Sequence, residues 1–455
     1  MNARPVSDAL LARLAEVVGP SHLSTDADLL ASRSVDWTGR YRGSAGALVR
    51  PADTGQVAAV LAACRDAGVP VTVQGGRTSL VAGAVPEYGD VLLSTERLTA
   101  TGPLDPLERR VRVGAGVSLA TVQRTAAASG LLFGVDLAAR DTATIGGMAA
   151  TNAGGLRTIR YGSMAEQVLG LAVALPDGSI LRRHPAVRSD NTGYDRPGLF
   201  VGSEGTLGVI TSIDLGLHPR PAHRVTAVCG FENLQELVSA GRLLRDLPGI
   251  AALELLDGRG AALAAEHLDL APPTTGDWLL LVEVADDTDP TDRLGGALAG
   301  LPMPGQPAVG LDPVAQARLW QLRESMAEVT TLFGVPLKFD VSLPLSAVAG
   351  FAADATRLVA ECAPDAVPVL FGHIGEGNLH LNVLRCGAEQ ETRIYPAMME
   401  LIATHHGNVS SEHGVGSRKR GYLSMSRTPA DIAAMRTIKA AFDPSGYLNP
   451  AVLFD

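Results

Sequence analysis

The chain is 455 residues long, 46% hydrophobic, and carries a net charge of −10. That length and apolar content supply a large core and point to two domains, whereas an acidic balance whose only basic cluster is "SRKRG" at 417–421 excludes a nucleic-acid groove. No apolar run reaches the ~18 residues of a membrane-spanning helix, the four cysteines are scattered without CxxC spacing, and the N-terminus lacks a signal peptide's apolar stretch, so a reduced cytoplasm is the expected setting.

"MNARPVSDALLARLAEVVGP" reads as an amphipathic helix. "TGQVAAVLAACRDAG" places Val57, Val60, Leu61 and Cys64 on one helical face, with Thr54 as N-cap and Gly68 as stop, and "VPVTV" follows as a strand. "RRVRVGAG" is strand and turn, "SLATVQRTAAASG" a helix capped by Ser118, and "LLFG" the start of an extended piece. Such alternation is an α/β pattern. Around 217–223 the glycine-rich loops give way to longer helical stretches such as "LQELVSAGRLLRDL", which sets a domain boundary there.

Three loops in the first part are built for close approach. "VTVQGGRTSLVAGAVP" runs a strand into Gly75 and Gly76, where consecutive backbone N–H groups can converge on a pyrophosphate. "GVDLAARDTATIGGMAATNAGGLRTIRYG" adds Gly146, Gly147, Gly154 and Gly155 with Thr151 and Asn152, and "NTGYDRPGLFVGSEGTLGVIT" adds Gly202, Gly205 and Gly208 among Ser203, Glu204 and Thr206. Three such loops imply a large, extended ligand. Neither GxGxxG nor GxxxxGK[ST] is present, so a nucleotide would be held some other way.

Further on, "FGHIGEGNLHLNV" at 371–383 sets two histidines around a knot of glycines that makes a helix improbable. A hairpin fits. With Gly375 to Asn378 as the turn, 374 pairs with 379 and His373 with His380, on one face and ready to share a metal ion.

The three loops, together with "FDVSLPL", "FGHIGEGNLHLNV", "SSEHGVGSRKR" and the terminal "FDPSGYLNP", resemble the vanillyl-alcohol-oxidase-type flavoproteins from about residue 42 onward. The branch resembled is that of the FAD-dependent D-2-hydroxyacid dehydrogenases, which includes the D-2-hydroxyglutarate and D-lactate dehydrogenases and the glycolate oxidase flavin subunit. The resemblance implies an α+β fold: an N-terminal helical segment at 1–41, a two-part FAD-binding domain at 42–219, an α/β substrate (cap) domain with an antiparallel sheet at 220–425, and a segment at 426–455 that returns to the FAD domain. It also implies that FAD is held by Gly75, Gly76, Arg77, Thr78 and Ser79 at the phosphates, with Asp141, Thr144, Gly147, Thr151, Asn152, Gly154, Gly155, Gly162, Glu204, Gly208, Ile210 and Asn449 completing the site. Arg77 stands where Asn is common in the resembling enzymes, and Ser79 and Ala82 where Gly is frequent. The first two loops contain neither His nor Cys to tether the flavin, so FAD is expected to be non-covalent.

A third candidate ligand, Glu412 in "NVSSEHGVG", joins His373 and His380 in a two-histidine, one-carboxylate set that suits zinc and tolerates iron or manganese. His413 cannot point the same way as Glu412 in a regular strand; the resemblance makes it the catalytic base. It also gives Arg323, Lys338 and Asn382 to the substrate carboxylates, although Ala327 replaces a Thr found in some hydroxyglutarate enzymes. The expected reaction is oxidation of a small anionic D-2-hydroxyacid, with D-2-hydroxyglutarate ahead of D-lactate or glycolate. An electron-transfer flavoprotein or a quinone is the expected acceptor, and a homodimer is compatible with the sequence, which is silent on assembly. Two readings from other classes stand beside it: a metal-dependent hydrolase using the same donor set, and a non-catalytic metabolite binder.

Overall fold

The computed structural model describes residues 6–184, 187 and 190–454. Its backbone separates into two units, one of Met1–Gly154, Gly162–Arg220 and Glu412–Asp455, the other of Gly155–Tyr161 and Pro221–Ser411.

The first unit holds two four-stranded sheets. One has the order Leu23–Ser24, Ala45–Val49, Asp90–Ser94, Val71–Gln74, and its last three strands run parallel. Helix Thr54–Ala67 packs on it through Val57, Val60, Leu61 and Cys64, all fully buried, each large aliphatic contributing about 1.5–3 kcal/mol. Its N-cap is Asp53 instead of Thr54: the Asp53 carboxylate accepts the Gln56 N–H at 2.9 Å, and Thr54 is the first helical residue. Gly68 stops the helix at φ 65°, and Ser118 caps the next helix, both as expected. The second sheet, Arg110–Gly114, Val209–Gly216, Val168–Ala174, Ile180–Arg183, is antiparallel throughout. The C-terminus closes onto the first sheet: Leu448 bridges Val71, and Asn449 accepts the Val73 N–H at 2.8 Å.

The second unit is built on a seven-stranded antiparallel sheet in the order Ala308–Gly310, His223–Phe231, Trp278–Asp286, Ile250–Asp257, Val367–His373, Asn378–Leu384, Leu337–Ser342. The strands "LKFDVS" and "NLHLNVL" alternate strictly, so one face takes Leu337, Phe339, Val341, Leu379, Leu381 and Val383 into the core, where Phe339 stacks on Tyr395 at 5.2 Å. The opposite face is half apolar and half polar. Its apolar half packs Leu319, Trp320, Leu322 and Met326 of helix Pro313–Val329 over Leu279, Leu281, Val369 and Phe371. No helix among the described residues is long and apolar enough to cross a membrane.

Candidate active site

In the first unit, the three glycine-rich loops line one cavity of about 320 Å³, within the range of small-molecule sites. Strand Val71–Gln74 delivers the first loop straight into it. Gly76 is obligatory there, since a Cβ would stand 2.0 Å from the Thr142 carbonyl oxygen of the second loop, while its N–H donates to Thr144 Oγ1 at 3.2 Å. Arg77 and Ala82 both adopt φ 57°, the left-handed region that Asn and Gly occupy at lowest cost.

Thirteen of the residues expected to hold a cofactor are on the cavity wall: Gly75, Gly76, Arg77, Thr78, Ser79, Thr144, Gly147, Thr151, Gly154, Glu204, Gly208, Ile210 and Asn449. Four are not among the described lining residues, each for a local reason. Asn152 ends helix Ile145–Thr151 in the left-handed conformation, and its Oδ1 accepts from Ser163 Oγ and the Ala165 N–H, both at 2.9 Å. Gly162 links helices Thr158–Tyr161 and Met164–Gln167 at φ 77°. Gly155 belongs to the stretch grouped with the second unit, where its N–H donates to Thr158 Oγ1. Asp141 is an exposed turn residue. The wall also includes Leu137, Ala138 and Ala139, small apolar residues that carry no sequence signal of their own.

Glu412 and His413 line this same cavity and belong to the first unit. Their backbone is a run of bends without strand pairing, and the stretch that follows them is fixed by Glu204. That residue, at φ 51°, gives its N–H to the Ala150 carbonyl, receives Asn449 Nδ2 on its own carbonyl, and accepts the N–H groups of Val415 and Gly416 on its two carboxylate oxygens at 2.9 and 2.8 Å. Burial pushes the Glu204 carboxyl above the usual range, against the pull of those two N–H groups and of Lys419. Its carboxylate is therefore spent on the His413 loop, a role the sequence did not reveal.

In the second unit, strand register arranges the polar half of the sheet face in rows. Glu254, His373, Asn378 and Ser342 stand opposite one another in the first row, and Leu256, Phe371, His380 and Asp340 in the second. Val369, Asn382 and Lys338 form the third. The hairpin register is thus shifted by two from that expected, its four-residue turn starting one residue earlier: His373 pairs with Asn378, and His380 with Phe371, because Ile374–Glu376 forms a short 3-10 turn closing on Gly377 at φ 71°. Faces alternate with every residue, so a slip of two leaves both histidines on the expected face. Their rings meet edge to face on the diagonal, centroids 5.3 Å apart.

A buried carboxylate backs each histidine. Glu254 Oε1 lies 2.7 Å from His373 Nδ1, and Asp340 Oδ1 lies 3.6 Å from His380 Nδ1. Asp340 Oδ2 also accepts the Ser411 N–H at 3.0 Å, which fixes the residue immediately before Glu412. Arg323 comes in from helix Pro313–Val329, lies over the Phe371 ring at 4.9 Å, and donates Nε to Glu254 Oε2 at 2.7 Å. Its two terminal nitrogens make no protein hydrogen bond among the described residues, so that edge of the guanidinium can grip a carboxylate. Lys338 is half-buried, and burial lowers its pKa from the usual lysine value. The face as a whole offers two imidazoles, carboxylates and two cations, a set suited to a small anion and a divalent metal.

Comparison with known proteins places the chain in a family. The chain matches the family models described as "FAD binding domain" over residues 45–183 and "FAD linked oxidases, C-terminal domain" over residues 220–453. It is 36% identical to the mitochondrial D-2-hydroxyglutarate dehydrogenase of Bos taurus, over 98% of this chain and 83% of that protein. It is 32% identical to the D-2-hydroxyglutarate dehydrogenase of Stutzerimonas stutzeri, over 98% of this chain and 99% of that one. Among solved structures, 4-ethylphenol oxidase from Gulosibacter chungangensis superposes with a TM-score of 0.79 at 17% identity, covering 100% of this chain and 99% of its own, which establishes a shared fold.

Proposed function

The chain belongs to the FAD-linked oxidases, alongside the D-2-hydroxyglutarate dehydrogenases, and from that membership we propose that it oxidises D-2-hydroxyglutarate to 2-oxoglutarate. The observation that carries the choice of substrate is the pair of cations, Arg323 and Lys338, on the sheet face that also bears His373 and His380. A dicarboxylate needs one cation more than a monocarboxylate does.

FAD, when bound in the loop-lined cavity, supplies the acceptor for the hydride that leaves C2. The first unit is its binding domain and the second the substrate domain. The glycine loops support this assignment, since Gly75, Gly76, Gly147 and Gly154 on the wall let a ligand approach the backbone closely. A divalent metal, with zinc the best match to nitrogen and carboxylate donors, would supply Lewis-acid activation of the substrate hydroxyl. His373, His380 and Glu412 are its proposed ligands, and Asp340, directly opposite His380 in the sheet, adds a further donor.

The remaining work falls to this chain's side chains. His413, on the cavity wall, receives the hydroxyl proton, a contribution typically worth about 100- to 10,000-fold. Arg323 holds the carboxylate next to C2 with its free edge. Lys338 and Asn382, opposite one another in the third row, take the distal carboxylate. The two electrons leave for an electron-transfer flavoprotein or a quinone, and the cytoplasm is the proposed compartment.

The experiment is an anaerobic absorbance titration with a panel of 2-hydroxyacids. D-2-hydroxyglutarate should bleach the flavin fastest, with D-malate next and D-lactate far slower. Preference for D-lactate would overturn the substrate while leaving the reaction class intact.

A further inference from the structure

We infer that Glu254 is a positioning residue that sets the metal-binding histidine and the substrate-binding arginine at once. This deepens the metal-assisted reading above and rests on it. Glu254 is 1% exposed in the strand Ile250–Asp257, directly opposite His373 across the sheet. Its two oxygens are divided between two partners: Oε1 faces His373 Nδ1 and Oε2 accepts from Arg323 Nε, each at 2.7 Å.

The division has two consequences. An ionised carboxylate only accepts hydrogen bonds, so the His373 proton must sit on Nδ1, which makes Nε2 the ring nitrogen that carries the lone pair for a metal. The ring is also held in one orientation, as coordination requires. On the other side, engagement of Arg323 through Nε alone keeps its two terminal N–H groups together as a fork, aimed away from Glu254 and matched to a carboxylate. Phe371, under the guanidinium at 4.9 Å, fixes its plane. One carboxylate thereby locks the metal's position to that of the substrate carboxylate, and a 2-hydroxyacid places its hydroxyl and carboxylate on adjacent carbons. The two groups that receive them must keep a fixed separation.

The test uses the flavin-loaded enzyme, with Glu254→Gln as the variant and Glu254→Asp as a second that keeps the charge but cannot reach both partners. Zn2+ affinity is read by competition with a chromophoric chelator, flavin content by absorbance, and KM and kcat for D-2-hydroxyglutarate in the same preparations. Expected are a Zn2+ affinity about 10- to 100-fold weaker and a KM raised about tenfold in Glu254→Gln, smaller changes in Glu254→Asp, and parental flavin content in both. If Glu254→Gln fails to fold, the same pattern is read from Glu254→Asp alone. A parent that binds Zn2+ beside variants that bind it and the substrate equally well would overturn this inference only. A parent that binds no divalent metal would overturn the metal-assisted reading with it.

Discussion

Lys338 and Asn382 stand directly opposite each other on the paired strands Leu337–Ser342 and Asn378–Leu384, in the row next to His380 and Asp340. On the proposed reading, an amine held there would meet the distal end of a dicarboxylate whose hydroxyl end is at the histidines.

Replacing Lys338 with Met should therefore cut kcat/KM for D-2-hydroxyglutarate by about tenfold to a hundredfold, the worth of one charge-assisted hydrogen bond, and leave D-lactate turnover unchanged. Equal losses for both substrates would assign Lys338 to the shared carboxylate.

The same lysine predicts a pH dependence. Burial lowers its pKa, and the ammonium exists only below that lowered value. Raising the pH should remove the charge earlier than at an ordinary lysine, so the preference for D-2-hydroxyglutarate over D-lactate should decline through the alkaline range. Lys338→Met should show no such decline. The ratio of the two kcat/KM values across pH measures it.

His373→Ala and His380→Ala should each abolish metal retention and turnover with flavin content at the parental level, because the histidines belong to the sheet of the second unit and the glycine loops to the first. Metal analysis and flavin absorbance on one preparation decide this, and loss of FAD along with the metal would contradict it.

Acid precipitation should release all the flavin as FAD into the supernatant. Cysteine is absent from the described cavity wall, and Cys64 and Cys229 are buried thiols pushed up to about 12 by desolvation, unsuited to forming a flavin bond. Flavin retained in the pellet would refute non-covalent binding.

Glu204→Gln puts an amide N–H2 where one of the Val415 and Gly416 N–H groups now finds an oxygen. The orphaned donor should cost about 1–3 kcal/mol of stability, seen in urea unfolding, and should slow flavin reduction, because the displaced loop carries His413. Parental stability would show that the loop is held elsewhere.

Short-range patterns were legible in the sequence wherever chemistry and period coincide. The alternation in "LKFDVS" and "NLHLNVL" announces a sheet face carrying Lys338, Asp340, His380 and Asn382, and glycine density announces the cofactor loops. The hairpin register was misjudged because four residues from Ile374 to Gly377 form the turn, and Asn378 already belongs to the strand; pairing within a turn is decided by backbone conformation that glycine spacing only bounds. Asn152 among glycines reads as a ligand contact, yet its side-chain oxygen accepts from Ser163 and Ala165 at the start of helix Met164–Gln167, a partnership 11 and 13 residues away that local pattern does not announce. Glu254 was invisible because its partners lie 69 and 119 residues away. The one clue was a single acidic residue inside the apolar run "IAALELL".

The return of Glu412–Asp455 to the first unit also has a bearing on how the protein is made. Asn449 joins the strand of the first loop to Glu204 of the third, and Lys439 binds the carbonyls of Thr206 and Leu448 at 2.8 Å. None of these fastenings exists until residues 412–455 have been made and folded back. A chain lacking that stretch has the glycine loops but neither the wall residues Glu412, His413 and Asn449 nor the ties that hold Glu204, so truncation before residue 412 should yield colourless protein.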